Sequence, residues 1–188
     1  MTKLTKHVVT VSKLARIIDS SDTCRRRHCY KVERHSLLIA QRIGLSSGEV
    51  RLIKMAGMLH DIGKIGIDLT IIKKSAKLTI EEWAQVKRHP EIGANIVGQL
   101  GLFGDAASVI RYHHARFGGG GYPDPKMAGE RVPIGSRIIF VADAFDAMTS
   151  DRPYRKAMSK ERAIEELVKC SGTQFDPHVV DAFLSVNQ

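Results

Sequence analysis

An all-α fold is what this 188-residue sequence predicts, and three observations predict it. Apolar residues recur at helical spacing through most segments. No alternating strand pattern of any length appears, and capping residues, glycines and prolines fall where helices would begin and end. Hydrophobic residues make up 43% of the chain and charged residues 26%, which suits one compact domain with a full-sized core and no internal repeat.

The first predicted helix, near residues 4 to 19, carries Leu4, Val8, Val11, Leu14, Ile17 and Ile18. We read residues 1–20 as an N-terminal helix and 21–188 as the main domain. The second helix, near 26 to 43, carries Val32, Leu37, Leu38, Ala40 and Ile43 and stops at Gly44. Ser46 or Ser47 caps a third that leads to His60. A short segment follows around Leu69 to Lys73. Thr79 and Glu82 form a capping box for a helix expected to run to His89, where Pro90 opens the next. A helix from about Asp105 is expected to reach His113 and His114, and the run Gly118 to Gly121 is expected to interrupt all order. Helices near Pro133 to Met148, Lys160 to Lys169 and Pro177 to Val186 complete the chain.

No run reaches the roughly 18 apolar residues of a membrane span, so membrane insertion is not expected. The N-terminus lacks the residue order of a signal peptide, and the expected location is the cytoplasm. Cys24, Cys29 and Cys170 form no closely spaced zinc-type pair, and their odd number argues against a secreted disulfide frame. A net charge of +9 fits an anionic partner. Apart from Arg25, Arg26 and Arg27, which read as a solvated face, the basic residues are scattered and no aromatic residues alternate with them. A nucleic-acid platform is therefore not expected.

The chemistry is concentrated in the histidines. His60 and Asp61 end the apolar run MAGML, and an imidazole beside a carboxylate on a buried face needs a partner. A metal ion supplies one, and Lys64, a turn further on, sits over the same place. His89, His113 and His114 also stand at or near predicted helix ends, and His28 lies early in a helix. His7, His35 and His178 look peripheral. Asp143 in FVADAFDA puts a carboxylate on an otherwise apolar helix, which is costly unless it is paired or bound to metal.

These residues resemble the HD-GYP domain, a bacterial branch of the HD phosphohydrolases. The resemblance rests on HDIGK at 60–64, RHPEIG at 88–93, HHARFGGGGYPD at 113–124, VADAFDAMTSDRPYRKAMS at 141–159 and GTQFDP at 172–177. It implies a compact helical bundle of the HD-domain type. It also implies metal ligands at His28, His60, Asp61, His89, His113, His114 and Asp143. Two divalent ions, iron or manganese, are expected, because Cys24 stands where three-metal members have a glutamate. Arg27 and Cys29 replace the glycine and serine that usually flank the first histidine, Ala115 stands in place of a glutamate, and Phe117 in place of a tryptophan.

Asp61, with two oxygens, can bridge two ions roughly 3.5 to 4 Å apart, the spacing that clamps an in-line displacement at phosphorus. One division puts His28, His60, Asp61 and Asp143 on one ion and Asp61, His89, His113 and His114 on the other. A water between them would lose its proton near neutral pH and act as the nucleophile. Lys64 would neutralise a phosphate oxygen. Gly121, Tyr122 and Pro123 are expected to border the substrate, with Tyr122 offering a flat ring for a nucleobase. Arg152 and Arg155 would clamp phosphates. Asp146 reads either as a capping or core hydrogen bonder or as a substrate contact.

The substrate implied by the resemblance is cyclic di-GMP, hydrolysed to pGpG or on to GMP. Hydrolysis of another cyclic dinucleotide or nucleotide is one alternative. The other is an impaired domain that senses cyclic di-GMP or binds a protein. Regulatory or diguanylate cyclase (GGDEF) domains are expected partners, and the chain reads either as a stand-alone enzyme or as a piece of a longer one.

Overall fold

The computed structural model describes residues 23–100, 105–151 and 156–187, with side chains from Arg27 onward. The N-terminal helix expected over residues 4–19 lies outside the described residues. Among the described residues nine α-helices follow in order: α1 (Thr23–Ile43), α2 (Ser47–Leu59), α3 (Leu69–Ile72), α4 (Ile80–Val86), α5 (His89–Gln99), α6 (Ala106–Arg111), α7 (Ile134–Thr149), α8 (Lys160–Lys169) and α9 (Pro177–Val186). Short 3-10 turns occupy Ile62–Gly66 and Gly129–Arg131. An isolated bridge between Ser171 and Phe175 is the nearest approach to a strand among the described residues.

Local chemistry sets the helix ends. Gly44 closes α1 at φ 83°, a conformation that costs glycine nothing. Ser46 and Glu49 form a reciprocal capping box at the start of α2, as Thr79 and Glu82 do for α4. Asp176 caps α9 through the His178 amide at 2.9 Å.

Two expected helices are shorter than their apolar pattern suggests. α4 ends at Val86, and α6 ends at Arg111. The reason is the same in both places: the histidine that follows turns its ring back onto the helix end, and the chain leaves the helix there. The glycine-rich stretch is also more ordered than expected. Gly118 donates its amide to Thr173 at 2.7 Å, Phe117 to Gln174 at 3.1 Å, and Gly120 to Pro125 at 2.9 Å.

Helix α7 is the central strut. Ile138, Val141 and Phe145 face a core shared with Ile39 of α1, Ile53 of α2, Leu167 of α8 and Phe183 of α9. Ile139 and Ala142 face a second core with Val32, Leu59, Val97 and Ile110. Gly135 permits the close crossing, because a Cβ there would lie 3.1 Å from the side chains of both Ile53 and Val109. Arg137 pairs with Asp176 and donates to the Val132 carbonyl at 2.9 Å, which ties α7 to α9. His35, expected at the periphery, instead packs edge-on against Phe145, with ring centroids 5.3 Å apart, and leans on Phe183. Its position on the inner stripe of α1 outweighs its polarity.

Candidate metal centre

Three histidines are held in one way. His60 follows the last residue of α2, and its Nδ1 donates to the Gly57 carbonyl at 2.7 Å. His89 opens α5 and donates to Val86 at 2.7 Å. His113 follows α6 and donates to Ile110 at 2.7 Å. A carbonyl only accepts, so each ring carries a hydrogen on Nδ1 and turns its Nε2 inward.

Asp61 is brought to these rings by the 3-10 turn that follows it. Gly63 lies flat on the start of α5, where a Cβ would stand 1.9 Å from the His89 carbonyl oxygen and 2.5 Å from the Gly93 amide. Only glycine permits that contact. Lys64 then reaches back, and its ammonium donates to Asp61 Oδ2.

The donor atoms fall into two groups, His89 with His113 and His114, and His28 with His60 and Asp143. Within each group the ligand atoms lie within 4.8 Å of one another. Asp61 lies between the groups: Oδ1 is 3.4 Å from His89 Nε2 and Oδ2 is 3.7 Å from His60 Nε2. His28 completes its side with Nε2 at 3.4 Å from Asp143.

Burial lowers the pKa of His89 to about 4 and of His114 to about 3, and it holds His113 well below the usual histidine value. These rings are therefore neutral, the form that binds metal. Burial also opposes the His28 cation, but the hydrogen bond to Asp146 and the charges of Asp143 and Asp61 raise its pKa overall. Burial alone would raise the carboxyls of Asp61 and Asp143. Lys64 and the histidines hold Asp61 well below the ordinary range, and His28, His60 and His114 lower Asp143.

This donor set fits metal ions. His89 Nε2 and His113 Nε2 approach to 3.3 Å, although both hydrogens are committed to carbonyls on the far sides of the rings. Two lone pairs facing each other repel, and a shared cation turns that contact into an attraction. Imidazoles mixed with carboxylates suit iron, manganese or zinc better than magnesium or calcium.

Around this centre the other expected residues take different places. Gly121 packs against the chain behind His114, where a Cβ would meet the His114 carbonyl oxygen and the Arg116 amide at 2.5 Å. Tyr122 stacks on His114, with centroids 4.6 Å apart at 30°, so one ring face is already covered. Pro123 follows through a cis peptide bond. Burial raises the Tyr122 pKa and keeps its hydroxyl protonated. Asp146, only 3% exposed, accepts from His28 Nδ1 at 2.7 Å, Lys31 at 3.0 Å and Ser150 at 3.0 Å. It stands behind His28, in the place of a core hydrogen bonder. Ala115 is buried. Arg152, Arg155 and the side chain of Cys24 lie outside the described residues.

Lys31 was not singled out in the sequence, although it stands three residues after His28 and therefore on the same helical face. The carbonyls of Gly57, Val86 and Ile110 leave no mark in side-chain identity at all.

The HD domain profile matches residues 12–179. This chain belongs to the HD domain family. As an HD domain it is 41% identical over 177 residues to the cyclic di-GMP phosphodiesterase response regulator RpfG of Xanthomonas campestris, a match covering 93% of this chain and 47% of that protein. It is 33% identical over 176 residues to the 3'3'-cGAMP-specific phosphodiesterase 2 of Vibrio cholerae, covering 93% of this chain and 34% of the relative. The chain thus spans half or less of these relatives' length. Among solved structures, a cyclic GMP-AMP-specific phosphodiesterase of V. cholerae, V-cGAP3, superposes with a TM-score of 0.73 at 20% identity, over 94% of this chain and 47% of that one. That likeness concerns the fold. No helix among the described residues is long and apolar enough to cross a membrane.

Proposed function

We propose that this HD domain is a metal-dependent phosphodiesterase that hydrolyses cyclic di-GMP to pGpG. The observation that carries the reading is the placement of Asp61, whose two oxygens face different donor groups. His28, His60, Asp61 and Asp143 would hold one ion and Asp61, His89, His113 and His114 the other, with iron or manganese the expected metals. When bound, the two ions supply charge for the phosphate oxygens and lower the pKa of water to near neutrality.

The remaining work falls to the chain itself. Lys64, one-quarter exposed, is close enough to exchange its Asp61 contact for a phosphate oxygen as negative charge builds. Asp146 keeps the His28 ring turned so that Nε2 faces Asp143. Tyr122, Gly121 and Pro123 border the substrate, and Arg152 and Arg155 are assigned to clamping its phosphates. The +9 charge draws a dianion toward the protein. Cytoplasmic location and regulation by attached or partner domains, GGDEF among them, belong to the same reading. The names of the relatives support cyclic di-GMP first, and the cGAMP-specific relative supports a second reading, hydrolysis of a mixed cyclic dinucleotide.

The test is anaerobic metal analysis of the protein, followed by chromatography of products from cyclic di-GMP and from 3'3'-cGAMP with iron or manganese added. About two ions per chain and accumulation of pGpG are expected, with Lys64→Ala losing roughly a hundredfold in kcat. Preference for cGAMP moves the substrate assignment to the second reading. Bound metal with no turnover of either substrate sinks the enzymatic reading.

A further inference from the structure

Helix α4 packs none of its side chains into the core, although the carbonyl at its last residue, Val86, orients His89. It is held at its N-terminus instead. Thr79 and Glu82 cap it, and Lys74 donates to both Glu82 oxygens at 2.7 Å. A helix fixed at both ends in this way presents Trp83, the sole tryptophan of the chain, with 44% of its surface exposed. Core packing does not account for that side chain.

Its neighbours do point to a role. Trp83 and Tyr122 have ring centroids 6.4 Å apart at 75°, an edge-to-face contact that sets the two rings at a steep corner. Tyr122 in turn lies 4.6 Å from His114 and 6.4 Å from His89. Trp83 therefore stands one ring further out from the donor cluster than Tyr122. The inner face of Tyr122 is taken by His114, whereas the exposed surface of Trp83 remains available. Lys87, just past the end of α4, holds its ammonium over one face of the Trp83 ring, 5.7 Å from the centroid, which leaves the other face for a base and adds positive charge beside it.

We propose that Trp83 is a substrate-positioning residue that stacks a purine base of the cyclic dinucleotide in the corner it forms with Tyr122, while the phosphate lies at the histidines. The inference rests on the phosphodiesterase reading and adds a base subsite to it. Stacking on an indole is tolerant of base identity, so Trp83 sets affinity for a purine rather than a choice between guanine and adenine.

The test uses the metal-loaded protein. Trp83 is the only indole, so its emission reports on this position alone, and rapid mixing with cyclic di-GMP should quench it before hydrolysis proceeds. Trp83→Ala should raise KM roughly tenfold or more with kcat changed by less than about threefold, and Trp83→Phe should restore most of the lost affinity. Because Trp83 lies outside the core, both variants should keep the wild-type circular dichroism spectrum and metal content. Hydrolysis with unchanged emission and unchanged KM in Trp83→Ala overturns the inference and leaves the phosphodiesterase reading standing. Neither hydrolysis nor an emission change, in protein shown to hold its metals, overturns both.

Discussion

His89 and His113 face each other Nε2 to Nε2 at 3.3 Å, while the Nδ1 of each ring donates to a carbonyl three residues earlier. The start of α5 and the turn after α6 thus each orient a ring through a hydrogen bond to their own backbone. Such bonds fix which nitrogen of each ring faces the centre.

Asp146→Ala should show what the same arrangement contributes on the other side. Without Asp146, the Nδ1 of His28 loses its acceptor and the Lys31 ammonium its carboxylate. The expected result is a loss of roughly 10- to 100-fold in metal affinity or turnover, the usual range for an outer-shell partner. A calorimetric titration with manganese checks it, and unchanged affinity and turnover would remove Asp146 from the positioning role.

Asp61→Asn removes the one carboxylate that faces both donor groups. The variant should hold less metal per chain and turn over at about a hundredth of the wild-type rate or less, since loss of a ligand exceeds loss of an outer-shell partner. Metal analysis after gel filtration measures the first and product chromatography the second. Full metal content with normal turnover would contradict the bridging role.

Gly63→Ala pushes a Cβ into the backbone of His89 and Gly93, neither of which can swing aside as a side-chain tip could. A destabilisation of about 3 kcal/mol is expected. Gly44→Ala is the control. It meets nothing within 4 Å but keeps a φ of 83°, so it should cost about 1–2 kcal/mol through the backbone alone. Denaturant titration distinguishes the two, and only Gly63→Ala should also weaken metal binding.

The pH dependence of the metal-free protein follows from the neutral histidines. His89 has its pKa lowered to about 4 in the folded chain, against an ordinary value of about 6.5 once unfolded. Between these values the unfolded chain binds more protons, so stability falls as pH drops from about 6.5 toward 4. His114 and His113 act in the same direction. His28 acts oppositely, because its raised pKa contributes stability below about 6.5 that is lost as pH rises through the folded value. Thermal unfolding with a chelator present should show a net loss of stability on acidification, and His89→Gln should flatten it. A melting temperature that holds constant from neutrality to pH 4 would contradict this account.

Much of the centre could be read from the chain because its chemistry resides in residue types. A buried His60–Asp61 pair, the doublet His113–His114 and a carboxylate at Asp143 each conflict with an apolar setting, and a conflict of that kind is visible in one dimension. The helices from Pro133 onward were equally legible, since α7 is a long apolar run opened by Pro133, and Ser159 and Asp176 cap α8 and α9. The early ends of α4 and α6 were not. They depend on where His89 and His113 place their rings, and helical propensity carries no record of that.

By itself, then, the sequence determined that the chain is helical, that it concentrates histidines and carboxylates at helix ends, and that it carries the motifs of the HD domain. Tertiary structure alone decided which donors meet, that Asp61 presents one oxygen to each group, and that Asp146 serves His28 from behind. It also decided that His35 packs against Phe145 at the edge of the core and that Trp83 stands beside Tyr122. The physical reason is that spacing along one helix sets which face a side chain occupies, whereas the approach of α5, α6 and α7 to Asp61 depends on close packing at Gly63 and Gly135.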